Sequence, residues 1–203
     1  MAQDASSPFI SDDTRQLAAY IVGAGFEQTP EDVLEKARHH LLDTLAAMVS
    51  GSRLRAGVLA SAYLASMGGR GSCNVAGTRL QTSAVDAALA NGMMAHGDET
   101  DDSHLGGRFH PGCGIVPCVL AAAQLKPANG LAMLRALALG YDVGARFNVS
   151  LGPRKLYAGG HSTHSVGPLF GGAAAAASLL HLNEEQVRYV LAYTVQQASG
   201  VQC

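Results

Sequence analysis

The chain has 203 residues, of which 48% are hydrophobic and only 15% are charged, and its formal net charge is −2. This composition predicts a globular protein with a substantial apolar core, and the 14 scattered Lys and Arg residues exclude a nucleic-acid-binding surface. The longest apolar run, 167–182, is too short to cross a bilayer, and the sequence does not open with a signal-peptide pattern. The four cysteines form no C-x-x-C pair. We therefore expect a cytoplasmic protein without membrane contact.

Apolar residues recur at helical spacing along nearly the whole chain. The spacing predicts an all-α fold, a multi-helix bundle that occupies residues 1–203 as one domain. The only candidate strand is the short segment 72–76 between glycines. In chain order, the predicted helices are 12–24, 30–50, 55–67, 82–97, 111–125, 130–150, 165–181 and 184–199.

Capping residues support three of these helix starts. Thr82 or Ser83 is typical of the residue before a first turn, and Pro111 suits the first position of a helix. Asn183 is followed three residues later by Gln186, which is the pattern of a capping box. The boundaries near 82, 111 and 184 are therefore predicted from local chemistry as well as from periodicity.

Ionisable residues concentrate in segment 95–111, whose sequence AHGDETDDSHLGGRFHP contains three histidines, four acidic residues and one arginine. If the helix 82–97 continues for another turn, His96, Glu99 and Ser103 share one face. Crowded carboxylates raise one another's pKa and a neighbouring imidazole lowers it, so such a cluster holds both a proton acceptor and a proton donor near neutral pH. The segment therefore predicts a site for acid–base chemistry.

Other interpretations of the same residues stay open. Asp101 and Asp102 are also suitable helix caps, and together with His104 and His110 they offer carboxylate and imidazole ligands for a metal. Their spacing matches none of the strong metal motifs, so we expect no metal. Arg108, presented by a glycine-rich loop, is a natural fork for a carboxylate of a ligand, or pairs with one of the two aspartates.

A second polar segment, YAGGHSTHSVG at 157–167, precedes the Ala-rich helix. It places His161 and His164 among hydroxyl side chains at a helix N-terminus, where anions bind favourably. We therefore expect this segment to act together with the first one. Three other histidines lie within predicted helices and are interpreted as structural: His39, His40 and His181.

The motifs of both segments resemble those of the MmgE/PrpD family, which includes 2-methylcitrate dehydratase, cis-aconitate decarboxylase and some epimerases of related acids. The resemblance spans essentially the whole chain. It is carried by AALANG at 87–92, Ala-His at 95–96, DDS at 101–103, His-Pro at 110–111, GYD at 140–142 and GHST at 160–163 followed by Gly167.

This resemblance implies a helical domain that in the family pairs with a smaller α+β domain, forms homodimers, and needs no metal or organic cofactor in the dehydratase and decarboxylase branches. Family enzymes are longer and carry an active-site lysine and another histidine beyond the region that this chain covers. We therefore expect residues 1–203 to be the N-terminal helical portion of such an enzyme. The α+β domain is then absent from this chain. If the enzyme is split, a partner polypeptide supplies the missing half.

By position, the resemblance implies catalytic roles for Glu99, His110 and His161. Glu99 stands where the family usually has an aspartate, and Gly160 stands where the family has an aromatic residue before the second histidine. Five polar residues are expected to bind substrate: Ser103, Asp102, His104, Arg108 and Thr163.

The expected function is that of a cofactor-independent lyase, a dehydratase or decarboxylase of a small polycarboxylic acid, incomplete without the C-terminal region. Glu99 and either His161 or His110 would divide the roles of base and acid. The alternatives are an epimerase or isomerase of a dicarboxylic acid, which needs two opposed proton donors, and a non-catalytic helical subunit of a split enzyme. The expected partners are the polycarboxylate and a second copy or a complementary polypeptide.

Overall fold

The computed structural model describes residues 10–24 and 29–201, and in these ranges the chain is almost entirely helical, which confirms the all-α prediction. The one hairpin pairs β1 (Cys73–Asn74) with β2 (Gln81–Thr82) in antiparallel register. The helices are α1 (Asp12–Ala24), α2 (Glu31–Gly51), α3 (Arg55–Met67), α4 (Ala84–Ala95), α5 (Gly112–Leu125), α6 (Gly130–Ser150), α7 (Pro153–Ala158), α8 (Gly167–Leu179) and α9 (Glu184–Gln197).

All eight predicted helices are present within a few residues of their expected ends. The structure adds the short helix α7 and one 3₁₀ turn, Thr163–Ser165, which periodicity over longer windows does not detect. The predicted strand at 72–76 shortens to the two residues of β1.

Two of the three predicted helix starts have the predicted capping chemistry, whereas Pro111 is the N-cap of α5 instead of its first residue. Ser83 caps α4 by accepting a hydrogen bond from the backbone N–H of Asp86. Asn183 and Gln186 form the complete capping box at the start of α9. Because these bonds satisfy backbone donors that the first helical turn leaves free, they fix where the two helices begin.

One expectation about α4 is wrong. The helix ends at Ala95 with His96 as its C-cap, and Glu99 has a left-handed backbone with φ of 54°. His96, Glu99 and Ser103 therefore do not share a helical face. The loop that follows α4 buries Asp101 and Phe109 instead, and these buried side chains, rather than a continued helix, set the path of the chain.

Helices α6 and α8 touch through their backbones. A Cβ added at Gly144 would lie 2.5 Å from the carbonyl oxygen of Gly167, and one added at Gly171 would lie 2.4 Å from that of Gly140. These distances are shorter than any carbon–oxygen contact that a side chain tolerates. Glycine is required at these positions because the two helices approach too closely for a side chain.

The Ala-rich helix α8 lies inside the molecule, as the sequence predicts. Phe170, Ala174 and Ala177 are buried in a cluster with Ile21 of α1 and Val187 of α9, among others. Among the helices of the described ranges, none combines the length and apolarity that crossing a bilayer requires.

Candidate functional site

The candidate site is built on the loop between α4 and α5, residues 96–111. The loop closes on itself because the N–H of His104 donates to the carbonyl of Phe109 at 2.9 Å and the N–H of Arg108 donates to the carbonyl of His104 at 2.8 Å. Phe109 is buried and anchors this turn in the core, whereas Arg108 is exposed with a left-handed φ of 54°. These hydrogen bonds and the burial of Phe109 hold the backbone of Arg108 in place while its side chain is exposed to solvent.

Asp101 is the buried centre of the site, with a side chain that is 0% exposed. Its Oδ1 lies 3.3 Å from Nδ1 of His96 and 3.3 Å from Nδ1 of His110. Its other oxygen, Oδ2, is buried without a hydrogen-bond partner among the described residues. The hydrogen bond with Asp101 raises the pKa of His96 despite the partial burial of that ring. Asp101 therefore favours a protonated imidazole beside it.

A third imidazole completes this cluster. The ring of His164 lies 5.2 Å from that of His110 and 5.7 Å from that of His96, measured between centroids. Burial and the two neighbouring imidazoles lower the pKa of His164. One histidine is thus driven toward the charged form and another toward the neutral form, which is the division that acid–base chemistry needs.

Cys113 lies in the first turn of α5 next to the same cluster. Its Sγ lies 3.3 Å from the carbonyl oxygen of His110, to which it donates. Burial and the adjacent carboxylate of Asp101 raise the pKa of this thiol well above its usual range. The protein without a bound ligand therefore holds Cys113 as a protonated thiol.

Asp102 points to a different set of partners. Its Oδ2 lies 2.6 Å from Nδ1 of His40 and accepts a hydrogen bond from the hydroxyl of Tyr141 at 2.7 Å, while Oδ1 accepts the N–H of Gly112. Burial opposes ionisation, yet these hydrogen bonds prevail and the pKa of Asp102 is lowered. The observed contacts attach the loop to α2, α5 and α6.

A cavity of about 870 Å³ lies beside the histidine cluster, and His110 and His164 line it. Three cationic side chains also line it: Arg108, Arg154 and Lys155. None of the lining residues is Asp or Glu. A cavity with fixed positive charges and no carboxylate attracts anions, and arginine in particular binds carboxylates in a bidentate manner.

The two predicted segments are joined by Asn148 of α6, a residue whose side chain is fully buried. Its Nδ2 donates to the carbonyl of Gly107 at 3.2 Å and to that of Thr163 at 2.7 Å. The hydroxyl of Thr163 donates in turn to the carbonyl of Arg108. Both polar segments are therefore held at a fixed separation on one side of the cavity.

The predicted site residues fall into two groups. Glu99 and His161 are exposed and do not line this cavity, and His161 forms an isolated β-bridge with Val201. Asp102 does not line it either, and its contact with substrate stays a prediction, as do the catalytic roles of Glu99 and His161. Five predicted residues do line the cavity: Ser103, His104, Arg108, His110 and Thr163.

Sequence reasoning missed several contributors. Arg154 and Lys155 are the only adjacent pair of basic residues in the sequence, a signal that was available. The contact of His40 with Asp102 joins residues 62 positions apart, and no spacing rule indicates it. The role of Asn148 likewise depends on tertiary structure alone, because an asparagine inside a helix carries no local sign of what it bonds.

The sequence is similar to those of known proteins. Residues 15–203 match the MmgE/PrpD N-terminal domain. The chain is 30% identical over 199 residues to the cis-aconitate decarboxylase-like protein oryM of Aspergillus oryzae, covering 93% of this chain and 40% of that protein. It is 26% identical to the cis-aconitate decarboxylase of Aspergillus terreus, covering 98% of this chain and 42% of that protein. It is 28% identical to the cis-aconitate decarboxylase of Homo sapiens, covering 92% of this chain and 40% of that protein. The chain thus spans about two fifths of the length of these relatives, and it belongs to the MmgE/PrpD family.

Proposed function

We propose that this chain forms the anion-binding and proton-transferring part of a cofactor-independent lyase that decarboxylates a small tricarboxylic acid of the cis-aconitate type. The observation that carries the proposal is the cavity lined by Arg108, Arg154 and Lys155, without a carboxylate, beside the imidazole of His110. The names of the curated relatives support decarboxylation over dehydration.

Binding is the role of the three cations. The guanidinium groups of Arg108 and Arg154 offer paired N–H donors that match a carboxylate, and Lys155 adds a point charge. The ring of Tyr157 lies 5.0 Å from the guanidinium carbon of Arg108 and supports it from one face. A tricarboxylate is therefore held by the carboxylates that do not react.

Proton transfer is the role of His110. When the bond to the leaving carboxylate breaks, CO₂ departs and the electron pair stays on the carbon skeleton of the substrate, which then takes up a proton. Nδ1 of His110 faces Asp101, so Nε2 is the nitrogen left for the substrate. The contact with Asp101 orients the ring of His110, and after the transfer the ring takes a proton from solvent.

The activity belongs to the whole protein. Because the chain covers 40–42% of the length of its curated relatives, we propose that a further region, in the same polypeptide or in a partner subunit, completes the active site. The same reasoning makes the homodimer implied by the family resemblance part of this proposal.

The test is turnover of cis-aconitate by the whole protein that contains this chain, followed by CO₂ release and by NMR of the product. We expect His110→Gln to lower kcat by about a hundredfold or more with little change in KM, because it removes the proton donor but no cation. His39→Gln is the matched control, since His39 is exposed on α2 and pairs only with Glu35.

Each outcome is decisive. Turnover by His110→Gln within a few-fold of the wild-type value would show that His110 is not the proton donor. A whole protein that neither releases CO₂ nor binds a tricarboxylate would remove the lyase proposal and leave a non-catalytic subunit. Binding of the tricarboxylate without release of CO₂ would contradict decarboxylation and direct attention to dehydration or epimerisation.

A further inference from the structure

A set of metal-ligating atoms comes together next to the cavity. His96, Asp101 and Cys113 each offer one atom, a ring nitrogen, a carboxylate oxygen and Sγ, and these atoms all lie within 4.8 Å of one another. They come from three places in the chain: the C-cap of α4, the loop, and the first turn of α5. Folding, rather than a local motif, therefore assembles them.

Asp101 supplies an independent reason to expect a cation there. Its side chain is completely buried, and Oδ2 has no hydrogen-bond partner among the described residues. A buried oxygen without a donor costs about 1–3 kcal/mol, and more when the group is charged. A metal ion at this position would satisfy the oxygen that the protein leaves bare.

The chemistry of the three donors selects the class of metal. The bound ion would displace the proton of Cys113 to solvent. Imidazole nitrogen, carboxylate oxygen and the resulting thiolate sulfur together suit a borderline divalent ion such as Zn²⁺ rather than Mg²⁺ or Ca²⁺, which prefer oxygen alone. Tetrahedral zinc with bonds of about 2.0–2.3 Å places its ligand atoms roughly 3.3–3.8 Å apart. The three ligand atoms lie within 4.8 Å of one another, so a contraction of about 1 Å at the longest separation closes the site.

We propose that His96, Asp101 and Cys113 form a binding site for one divalent ion of the zinc class, with a fourth position open beside the cavity. This set differs from the four residues considered from sequence. Asp102 is occupied by His40, Tyr141 and Gly112, and Nδ1 of His104 accepts the N–H of Gly107. Oδ1 of Asp101 faces both His96 and His110, so an ion bound here competes with the role of Asp101 beside His110, and the proposed proton transfer belongs to the metal-free protein.

The experiment is a titration of the chelator-treated, purified protein with Co²⁺, a spectroscopic substitute for Zn²⁺, in the absence of any carboxylic acid. We expect one Co²⁺ per chain, a thiolate-to-cobalt charge-transfer band in the near ultraviolet, and displacement of Co²⁺ by Zn²⁺. Cys113→Ser should remove the band and weaken Zn²⁺ binding by about a hundredfold or more, at least as much as loss of an outer-shell partner typically does.

Cys118→Ser is the matched control. Cys118 lies five residues further along α5, and its Sγ lies against Gly172 of α8 instead of the cluster. Its spectrum and affinity should equal those of the wild type. His96→Gln should weaken binding without removing the charge-transfer band, and circular dichroism checks that each variant is folded.

Three results would overturn the proposal: no stoichiometric Co²⁺ in the wild type, binding without the thiolate band, or a band that survives Cys113→Ser. The wild-type spectrum alone decides the first two, so a misfolded variant does not leave the question open. Because the titration contains no substrate, its outcome is separate from that of the turnover assay, which uses chelator-treated protein.

Discussion

At the scale of single residues, the adjacent carboxylates Asp101 and Asp102 have different partners. Asp101 faces the imidazoles of His96 and His110, whereas Asp102 bonds to His40, Tyr141 and the start of α5. The sequence predicts a polar site at this pair, but not this division. Which way each side chain points depends on the path of the loop, and that path is set by the burial of Phe109 and the left-handed backbone of Glu99.

This division makes Asp102→Asn a test of stability. We expect the variant to lose about 2 kcal/mol of unfolding free energy at pH 7, because the amide cannot replace the charged acceptor of three donors. The pKa of Asp102 is lowered in the folded protein. Its stabilisation is therefore complete above the pKa of the unfolded state, about 3.9, and is lost as the pH falls through the lower folded value.

Urea unfolding of wild type and variant between pH 7 and pH 3 measures this dependence. The difference between the two proteins should be constant from neutral pH down to about 4 and shrink below it. Asp43→Asn, a change of an exposed aspartate on α2, is the control and should show no such difference. A difference in unfolding free energy between wild type and Asp102→Asn that grows at low pH would contradict the stabilising role of the Asp102 carboxylate.

At the scale of elements, helical periodicity and capping chemistry predicted all eight long helices, because both are local properties of the sequence. The short helix α7 and the end of α4 were not predicted. A helix of six residues is too short to show a period. Gly97, a residue type that often follows the end of a helix, was a local sign that α4 stops near Ala95. The particular contact between α6 and α8 was not predicted, because local patterns do not show which helices meet.

Gly144→Ala tests that contact. The new methyl group would meet the backbone of α8, which has no side chain to move aside, so we expect a loss of about 2–3 kcal/mol in unfolding free energy. Gly130→Ala, in the first turn of the same helix, meets nothing within 4 Å. It should change stability by less than about 1 kcal/mol. If both substitutions lower the unfolding free energy equally, the close contact between α6 and α8 contributes little to stability.

At the scale of the whole molecule, charge is unevenly distributed. The chain carries a formal net charge of −2, yet the cavity beside the histidine cluster is lined by Arg108, Arg154 and Lys155 and by no carboxylate. Electrostatic attraction of an anion to this cavity is therefore local and does not arise from the net charge. The low overall charge did not indicate this local concentration of cations, although the Arg154-Lys155 pair was a local sign of it.

Binding of cis-aconitate should reflect this local charge. Isothermal titration calorimetry should show an affinity that falls as salt rises, because the Debye length shrinks below about 10 Å above 0.1 M ionic strength. Arg154→Gln with Lys155→Gln should weaken binding by about a hundredfold, roughly tenfold for each charge-assisted contact, and flatten the salt dependence.

Arg53→Gln with Arg55→Gln removes the same two charges from exposed positions on another part of the molecule. This control should bind as the wild type does. If both double variants weaken binding equally, net charge rather than the cavity governs affinity, and the assignment of the cavity as the binding site fails.

The two hydrogen bonds of Asn148 fix the distance between two parts of the candidate site. One buried amide fixes the carbonyls of Gly107 and Thr163, the residues next to Arg108 and His164. The backbone distance between Arg108 and His164 is thus set before a ligand binds, which lowers the ordering cost of binding. If this cavity is the substrate site, we expect it to favour acids whose charged groups match that distance over similar acids that are one carbon longer or shorter.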